Sequence, residues 1–434
     1  MTIRHGSRCL WAVVFWALVA PVALAQAPTT ADAQAAPSGA PAQPTTRVEQ
    51  IEFARRQKDA TLWPERENPL VVRVNRLMDR GLIDGILTGE GNNGWQLILE
   101  GTRPAQGQTY GIGYRRADLF NDLLTVRATA RGTFAGAQLY DGELQLNRLG
   151  RSERAFLNGY GKYERSPHME YYGLGADSLK DDRTRYQLNT ALVETRAGYR
   201  FTPALNAGIE FGYGGAHTGS VEGDEIPSIE TKFDATTAPG LFDDTRFSSW
   251  GAFVGFDVRD LKRGPRSGGF YGIEFKRYVD MDEGTYSHRQ LDLEGQQFFP
   301  YLNQQRVVAL FVKARFAYTG DDDRVVPFYL LPQLGGNFEL RGFNQYRFSD
   351  NNTFMASVEH RWYAFSGLEM ALFLDAGKSV AEKEDVDFSG LNYSGGIGLR
   401  VRVRGAVVMR MDVATSREGT RWIWSMSDVS RRRF

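Results

Sequence analysis

Cysteine is all but missing from this chain: Cys9 is the only one in 434 residues. It lies in the N-terminal apolar run, so the mature chain is expected to be free of thiols, with no disulfide and no cysteine-held metal. Histidine is scarce as well. His5, His168, His217, His288 and His360 are scattered, and no pair has the spacing of a transition-metal site. His217 and His288 have hydroxyls near them in sequence (Thr218, Ser220, Ser287) but no third group to orient the ring. No G-x-S-x-G elbow occurs, which excludes a fused esterase. The chain therefore reads as a non-enzyme that needs no cofactor and no metal. An excess of one charge is missing too: 52 Lys and Arg meet 52 Asp and Glu, so no field draws in nucleic acid. Past the N-terminus there is no apolar run of about 20 residues, which excludes a bundle of membrane-crossing helices.

What is present falls into four segments. Arg4 and Arg8 precede the apolar run from Cys9 to Ala20, and Ala23-Leu24-Ala25 offers small residues for cleavage, so residues 1–25 read as a secretory signal peptide. Residues 26–47, rich in Ala, Pro, Thr and Gln, read as a disordered linker. Residues 48–94 read as a short helical periplasmic segment, with Asn68 as cap and Pro69 at the first helical position. Gly81 interrupts it, so two short helices fit as well as one. Such a segment either docks under the next domain or enters it as a plug.

Residues 95–434 alternate with period two, bounded by turn residues. Sixteen strands are expected, near 95–101, 108–117, 124–133, 137–149, 155–166, 184–201, 204–214, 248–260, 268–280, 287–299, 305–319, 353–364, 367–378, 393–404, 407–416 and 421–427. The abundance of Gly (47), Phe (27) and Tyr (19) with a mean hydropathy of −0.39 suits a transmembrane β-barrel, where only alternate residues face lipid. In the thirteenth strand Leu368, Met370, Leu372 and Leu374 share one face, and Glu369, Phe373, Asp375 and Gly377 the other. In the fourteenth, Arg400, Arg402 and Arg404 share a face that cannot be lipid, where each arginine would cost about 2–4 kcal/mol near the midplane. They are expected to line a wet lumen. Connections after even strands are short and many after odd strands are long (167–183, 215–247, 320–352, 379–392), the asymmetry of an all-β outer-membrane barrel with both termini in the periplasm. Asp321-Asp322-Asp323 in the third of these reads as a solvated acidic loop. In the last strand Arg417, Gly419, Trp422 and Trp424 have the spacing of an assembly signal for outer-membrane barrels, with both tryptophans suited to an interfacial girdle.

The long loop after the eleventh strand, Pro327-Phe-Tyr-Leu-Leu-Pro-Gln-Leu-Gly-Gly-Asn-Phe-Glu-Leu340-Arg341-Gly342-Phe343, resembles the lid loop of the bacterial surface antigen family, the sixteen-stranded barrels of the BamA–TamA type. Four further segments resemble that family in order: Tyr171 to Ser178, Asp257-x-Arg259-Asp260 with Pro265 and Gly268-Gly269, Phe373-Leu-Asp375-Ala-Gly377, and Gly396 to Arg400. Residues 48–94 are too short for the family's periplasmic POTRA module, so the resemblance is to a barrel-only branch. A loop folded into a lumen strips its charges of water, so a buried Arg341 needs carboxylates. Glu359 and Asp375 sit on inward faces of strands twelve and thirteen, and the resemblance implies the same clamp. The other reading is an external loop with a solvated arginine. The resemblance implies a gated barrel that translocates or assembles a protein or lipid client, opening between strands one and sixteen. The alternative is a passive or anion-selective pore governed by Arg400, Arg402 and Arg404. Expected partners are outer-membrane lipid and lipopolysaccharide, the barrel assembly machinery during biogenesis, and an unspecified client.

Overall fold

The computed structural model describes residues 47, 50–51, 53–54, 93–103, 107–223, 225–262, 264–320, 323–385, 387, 389–403 and 406–425. The chain divides into residues 1–63 and 64–434. In the first unit the described residues are helical, with Ile51 and Phe53 exposed. The signal peptide, nearly all of the linker and of the 48–94 segment, Arg404, Asp321, Asp322 and the last nine residues lie outside the described residues.

The second unit is one sixteen-stranded antiparallel sheet in which each strand pairs with its sequence neighbours. Its first eight strands are β1 Gly94–Arg103, β2 Gly107–Leu119, β3 Leu124–Thr133, β4 Gln138–Leu149, β5 Ala155–Tyr171, β6 Thr184–Arg200, β7 Leu205–Gly219 and β8 Thr245–Asp257. The rest are β9 Gly268–Asp280, β10 His288–Tyr301, β11 Arg306–Tyr318, β12 Asn352–Phe365, β13 Leu368–Val380, β14 Asn392–Val403, β15 Ala406–Ser416 and β16 Gly419–Ser425. All sixteen expected strands are there. β5 and β7 run about five residues further than expected, so 167–171 and 215–219 are strand rather than loop. The β5 extension follows a register shift across Pro167 and His168, and the β7 extension continues the ladder through Gly215, Ala216, His217 and Thr218, so neither shows clean alternation. β1 and β16 lie side by side. Among the described residues no ladder pairing joins them.

Period-two burial runs through the strands as the alternation requires. In β8, Phe247, Ser249 and Phe253 are buried while Trp250 and Val254 are exposed. In β13, Glu369, Phe373 and Asp375 point inward, and Leu372 and Leu374 face out at about half exposure. Short turns gather at one end of the sheet and long loops at the other. The long loops pack into a cap with its own apolar centre, where Phe328 lies edge-on to Tyr171 and Tyr186 at 5.1 and 4.8 Å and against Ile229 and Leu331.

The longest short-end connection, residues 258–267 between β8 and β9, is held by backbone geometry that only glycine permits. Gly268 has φ +82°, and a Cβ there would lie 1.9 Å from the carbonyl oxygen of Val258. Gly268→Ala is expected to cost about 1–3 kcal/mol from overpacking and left-handed strain. Urea unfolding of the refolded barrel, followed by tryptophan fluorescence, reads that loss; an unchanged midpoint would contradict it.

Candidate functional site

The loop between β11 and β12 (319–351) folds back into the barrel. A two-residue ribbon pairs Gln333–Leu334 with Phe348–Ser349 and closes the loop's inner part into a hairpin. Leu334, Leu340, Phe343 and Phe348 pack with Met355 of β12, all at 3 % exposure or less. Their burial supplies the apolar side of the insertion. Leu340 takes φ +49°, which turns the next residue toward the wall. Gly342 then presses against β14 and β15: a Cβ there would lie 2.8 Å from Ser394 Cβ, Ser416 Cβ and the Thr415 carbonyl oxygen. The Ser416 hydroxyl donates to the Gly342 carbonyl at 2.8 Å.

Arg341 sits between these two residues at 2 % exposure. Its Nε and Nη2 donate to the two oxygens of Asp375 at 2.9 and 2.5 Å, and its backbone N–H to the same carboxylate at 3.1 Å. Nη1 donates to Glu359, Nη2 also reaches the Ser357 hydroxyl at 3.1 Å, and the guanidinium lies 3.5 Å from the centre of the Phe373 ring. Burial disfavours the charge, but Glu359 and the bonds to Asp375 outweigh it and lift the arginine's pKa above its ordinary value. β12 supplies Ser357 and Glu359, β13 supplies Phe373 and Asp375, and Gly377 lets the lid side chain Leu334 approach to 3.3 Å of its Cβ position. The guanidinium is thereby a fixed point of the loop.

The expectation of a solvated arginine ladder on β14 needs correcting. Arg400 and Arg402 do point inward, but both are 3 % exposed and ion-paired. Arg400 donates to Asp412 at 3.1 Å and reaches Glu359 at 3.4 Å; Arg402 donates to Glu369 at 2.8 Å. The lumen there is polar through ion pairing rather than through water. Sequence reading also missed Arg361, Arg410 and Asp412. Arg361 Nε donates to Glu359 at 2.7 Å and Arg410 Nε to Asp412 at 2.6 Å. The signal was available: Arg410 and Asp412 fall two apart on the inward face of the mostly apolar β15.

Further contacts fasten the lid. Arg347 bonds Glu418 at 2.8 Å and the Ser178 hydroxyl at 2.8 Å, and Asn344 donates to the Tyr172 hydroxyl at 3.0 Å, so the Tyr171–Ser178 segment braces the loop from outside. Below, Glu339 meets Lys313 and Arg315 of β11. At the short-turn end, residues 258–267 cross under β13 and β14: Arg266 pairs with Glu369, and Arg402 donates to the Gly264 carbonyl at 2.6 Å. A cavity of about 280 Å³ lies between the lid, β10–β12 and this turn, with Phe338, Glu339 and Arg341 on one side and Arg259 and Pro265 on another.

Elsewhere, Trp422 and Trp424 of β16 share the outward face, with Trp422 83 % exposed and Gly419 at φ +126° starting the strand after Arg417. His217 does have an orienting group, Asp244 at 2.5 Å, contrary to the sequence reading, and both are exposed. That acid is brought near by the β7–β8 connection, 27 residues on, which sequence proximity cannot reveal.

Among the described residues, Asp375 has Arg341 as its one cationic partner, whereas Glu359 and Asp412 each keep two other arginines. Asp375→Asn is therefore expected to loosen the lid by about 3–5 kcal/mol, the cost of breaking a buried pair. Glu359→Gln should loosen it less. Hydrogen exchange of the 338–348 amides measures both, and equal effects would contradict this ordering. Glu339 adds a pH dependence. Burial opposes its charge, but Arg315 and Lys313 hold its pKa below the ordinary glutamate value. A depressed pKa means the tie is complete at neutral pH and is lost as pH falls through that lowered value. Lid protection in the wild type should thus persist at about pH 5, above the ordinary glutamate range, while Glu339→Gln lacks this tie at neutral pH.

A sixteen-stranded antiparallel barrel with a loop fixed inside it by a buried arginine defines the class. The Omp85 superfamily domain matches residues 93–417, and the chain belongs to that superfamily. Among solved structures it is similar to BamA from Haemophilus ducreyi lacking POTRA domains 1–3, with 14 % identity, a TM-score of 0.58, and coverage of 78 % of this chain and 70 % of that one. It is also similar to CdiB from Escherichia coli (12 % identity, TM-score 0.50, 75 % of this chain and 61 % of that one). CdiB from Acinetobacter baumannii aligns at 13 % identity and a TM-score of 0.46, over 76 % of this chain and 58 % of that one. The chain thus spans about three fifths of the CdiB structures. No curated protein sequence matches the chain.

Proposed function

We propose that this chain is a gated barrel of the bacterial outer membrane that translocates or assembles a protein or lipid client, with its short turns and termini in the periplasm. In this reading loop 319–351 is the gate and Arg341 its latch. The observation that carries it is the burial of one guanidinium against Asp375, Glu359 and Ser357, on strands separate from the loop that bears it. A buried pair of this kind is weak evidence for added stability, and its best-attested use is to define a register or a switch. That no ladder joins β1 and β16 among the described residues supports a client path at that seam, since an unpaired edge parts without breaking strand hydrogen bonds. The spacing of Arg417, Gly419, Trp422 and Trp424 supports handling by the barrel assembly machinery during biogenesis.

The alternative, an anion-selective pore, loses its main support. Arg400 and Arg402 spend their charge on Asp412, Glu359 and Glu369.

Single-channel conductance in planar bilayers tests the gate. Wild-type protein should show low, flickering conductance, and Arg341→Ala should raise the open probability at least about tenfold, in keeping with a latch worth more than 1.4 kcal/mol. Large, steady wild-type conductance that Arg341→Ala leaves unchanged would overturn the gate.

A further inference from the structure

On the outer wall near the long-loop end, four side chains stand abreast on consecutive strands: Trp250 of β8, Arg277 of β9, Arg289 of β10 and Tyr318 of β11. The register pairs them directly, Trp250 with Arg277, Arg277 with Arg289, and Arg289 with Tyr318. All four belong to the lipid-facing set. Glu274 and Lys276 of β9 and Glu294 and Gln296 of β10 point into the lumen, so Arg277 and Arg289, at odd positions, point out. Trp250 and Tyr318 are 47 and 42 % exposed.

Two arginines directly opposite each other on neighbouring strands repel, and such pairs destabilise a sheet. Among the described residues neither guanidinium has a carboxylate at ion-pair distance. Asp282, an acid at this rim, is taken by Arg246, whose Nε donates to it at 3.0 Å. Arg289 lies 5.9 Å over the Tyr318 ring, a contact that orients the guanidinium without neutralising it. One step toward the membrane middle the same face carries Ala252, Phe275, Leu291 and Phe316, again in register across the four strands. The wall therefore presents two cations with no carboxylate partner among the described residues, in an aromatic frame directly above an apolar strip.

We propose that Arg277 and Arg289 bind the phosphate of a membrane lipid in the leaflet at the long-loop end, its acyl chains lying on Phe275, Leu291 and Phe316. The ligand has to be anionic, because it cancels a repulsion the fold leaves in place. Phosphate suits guanidinium forks, which bond it through two parallel N–H groups. It has to be a lipid because the row lies on the membrane-facing wall, at the height where tryptophan and tyrosine mark the interface. The inference rests on the outer-membrane reading of the barrel and is independent of whether the lid opens.

Thermal unfolding of the full chain in detergent micelles is the test, with and without added lipid A. The wild type should gain in midpoint with lipid A, and gain little from dephosphorylated lipid A or from inorganic phosphate. Arg277→Gln with Arg289→Gln should abolish that gain, and each single change should weaken lipid A binding about tenfold or more. Arg289→Gln alone should also raise the lipid-free midpoint, since it removes the like-charge pair. Arg116→Gln, at a rim arginine already paired with Asp118 at 3.1 Å, serves as the control for lost surface charge and should keep the full gain. A double variant that still gains as much as the wild type would overturn the site. An equal gain from inorganic phosphate would overturn the lipid as its occupant. Because the readout is lipid binding and not conductance, failure of the gate in planar bilayers would leave this result standing.

Discussion

The arrangement of the barrel's interior follows from where one guanidinium can be neutralised. A loop that enters the lumen exchanges water for protein, and an arginine there is tolerated only if fixed carboxylates replace its hydration. Asp375 and Glu359 meet that demand on adjacent strands. The conformation on either side, a left-handed Leu340 and a Gly342 with no room for a Cβ, is what delivers Arg341 to them. Hydrophobic burial of Phe343 and Phe348 draws the loop inward, but it is non-directional. The ion pairs choose the stopping place.

Most of the wall's acids have cationic partners besides the loop arginine. With Arg341 in place, four arginines (341, 361, 400, 410) face three acids (Glu359, Asp375, Asp412). Without it, three arginines face three acids. Glu359 and Asp412 keep their remaining partners, and Asp375 keeps the hydroxyls of Ser357 and Ser394 at 2.6 and 3.1 Å. The loop's own arginine is thus the surplus cation of the cluster, and Asp375 is the acid that depends on it for charge. The turn at 258–267 is tied through Arg266, Glu369 and Arg402, and Arg361 links it to the clamp by bonding both Glu359 and the Pro265 carbonyl.

Much of this was legible in the sequence because a barrel writes itself in period two. The sixteen strands, the inward placement of Asp375 and Glu359 and the alternation of short and long connections all follow from local pattern. What stayed hidden depends on which strands become neighbours. Arg400 and Arg402 read correctly as inward-facing, but their burial is set by Asp412 and Glu369 on the two neighbouring strands, and the cross-strand register that pairs them is not written in the alternation of any one strand. The same holds for Arg347, which reaches Ser178 from 169 residues away, and for Asp244 beside His217. The strand extensions of β5 and β7 were missed for a different reason: neither shows clean alternation.

The wall opposite the clamp carries a third ion network, in which Arg196 and Lys276 meet Glu194, Glu210 and Glu274 on β6, β7 and β9. There the acids outnumber the bases, whereas on β12–β15 with the lid and the turn the bases outnumber the acids. These two networks thus carry opposite excess charge on the strands that hold them. Acidic and basic side chains placed between the two walls would be drawn toward opposite sides. Orientation by such a field depends on charge alone and not on the sequence that carries it.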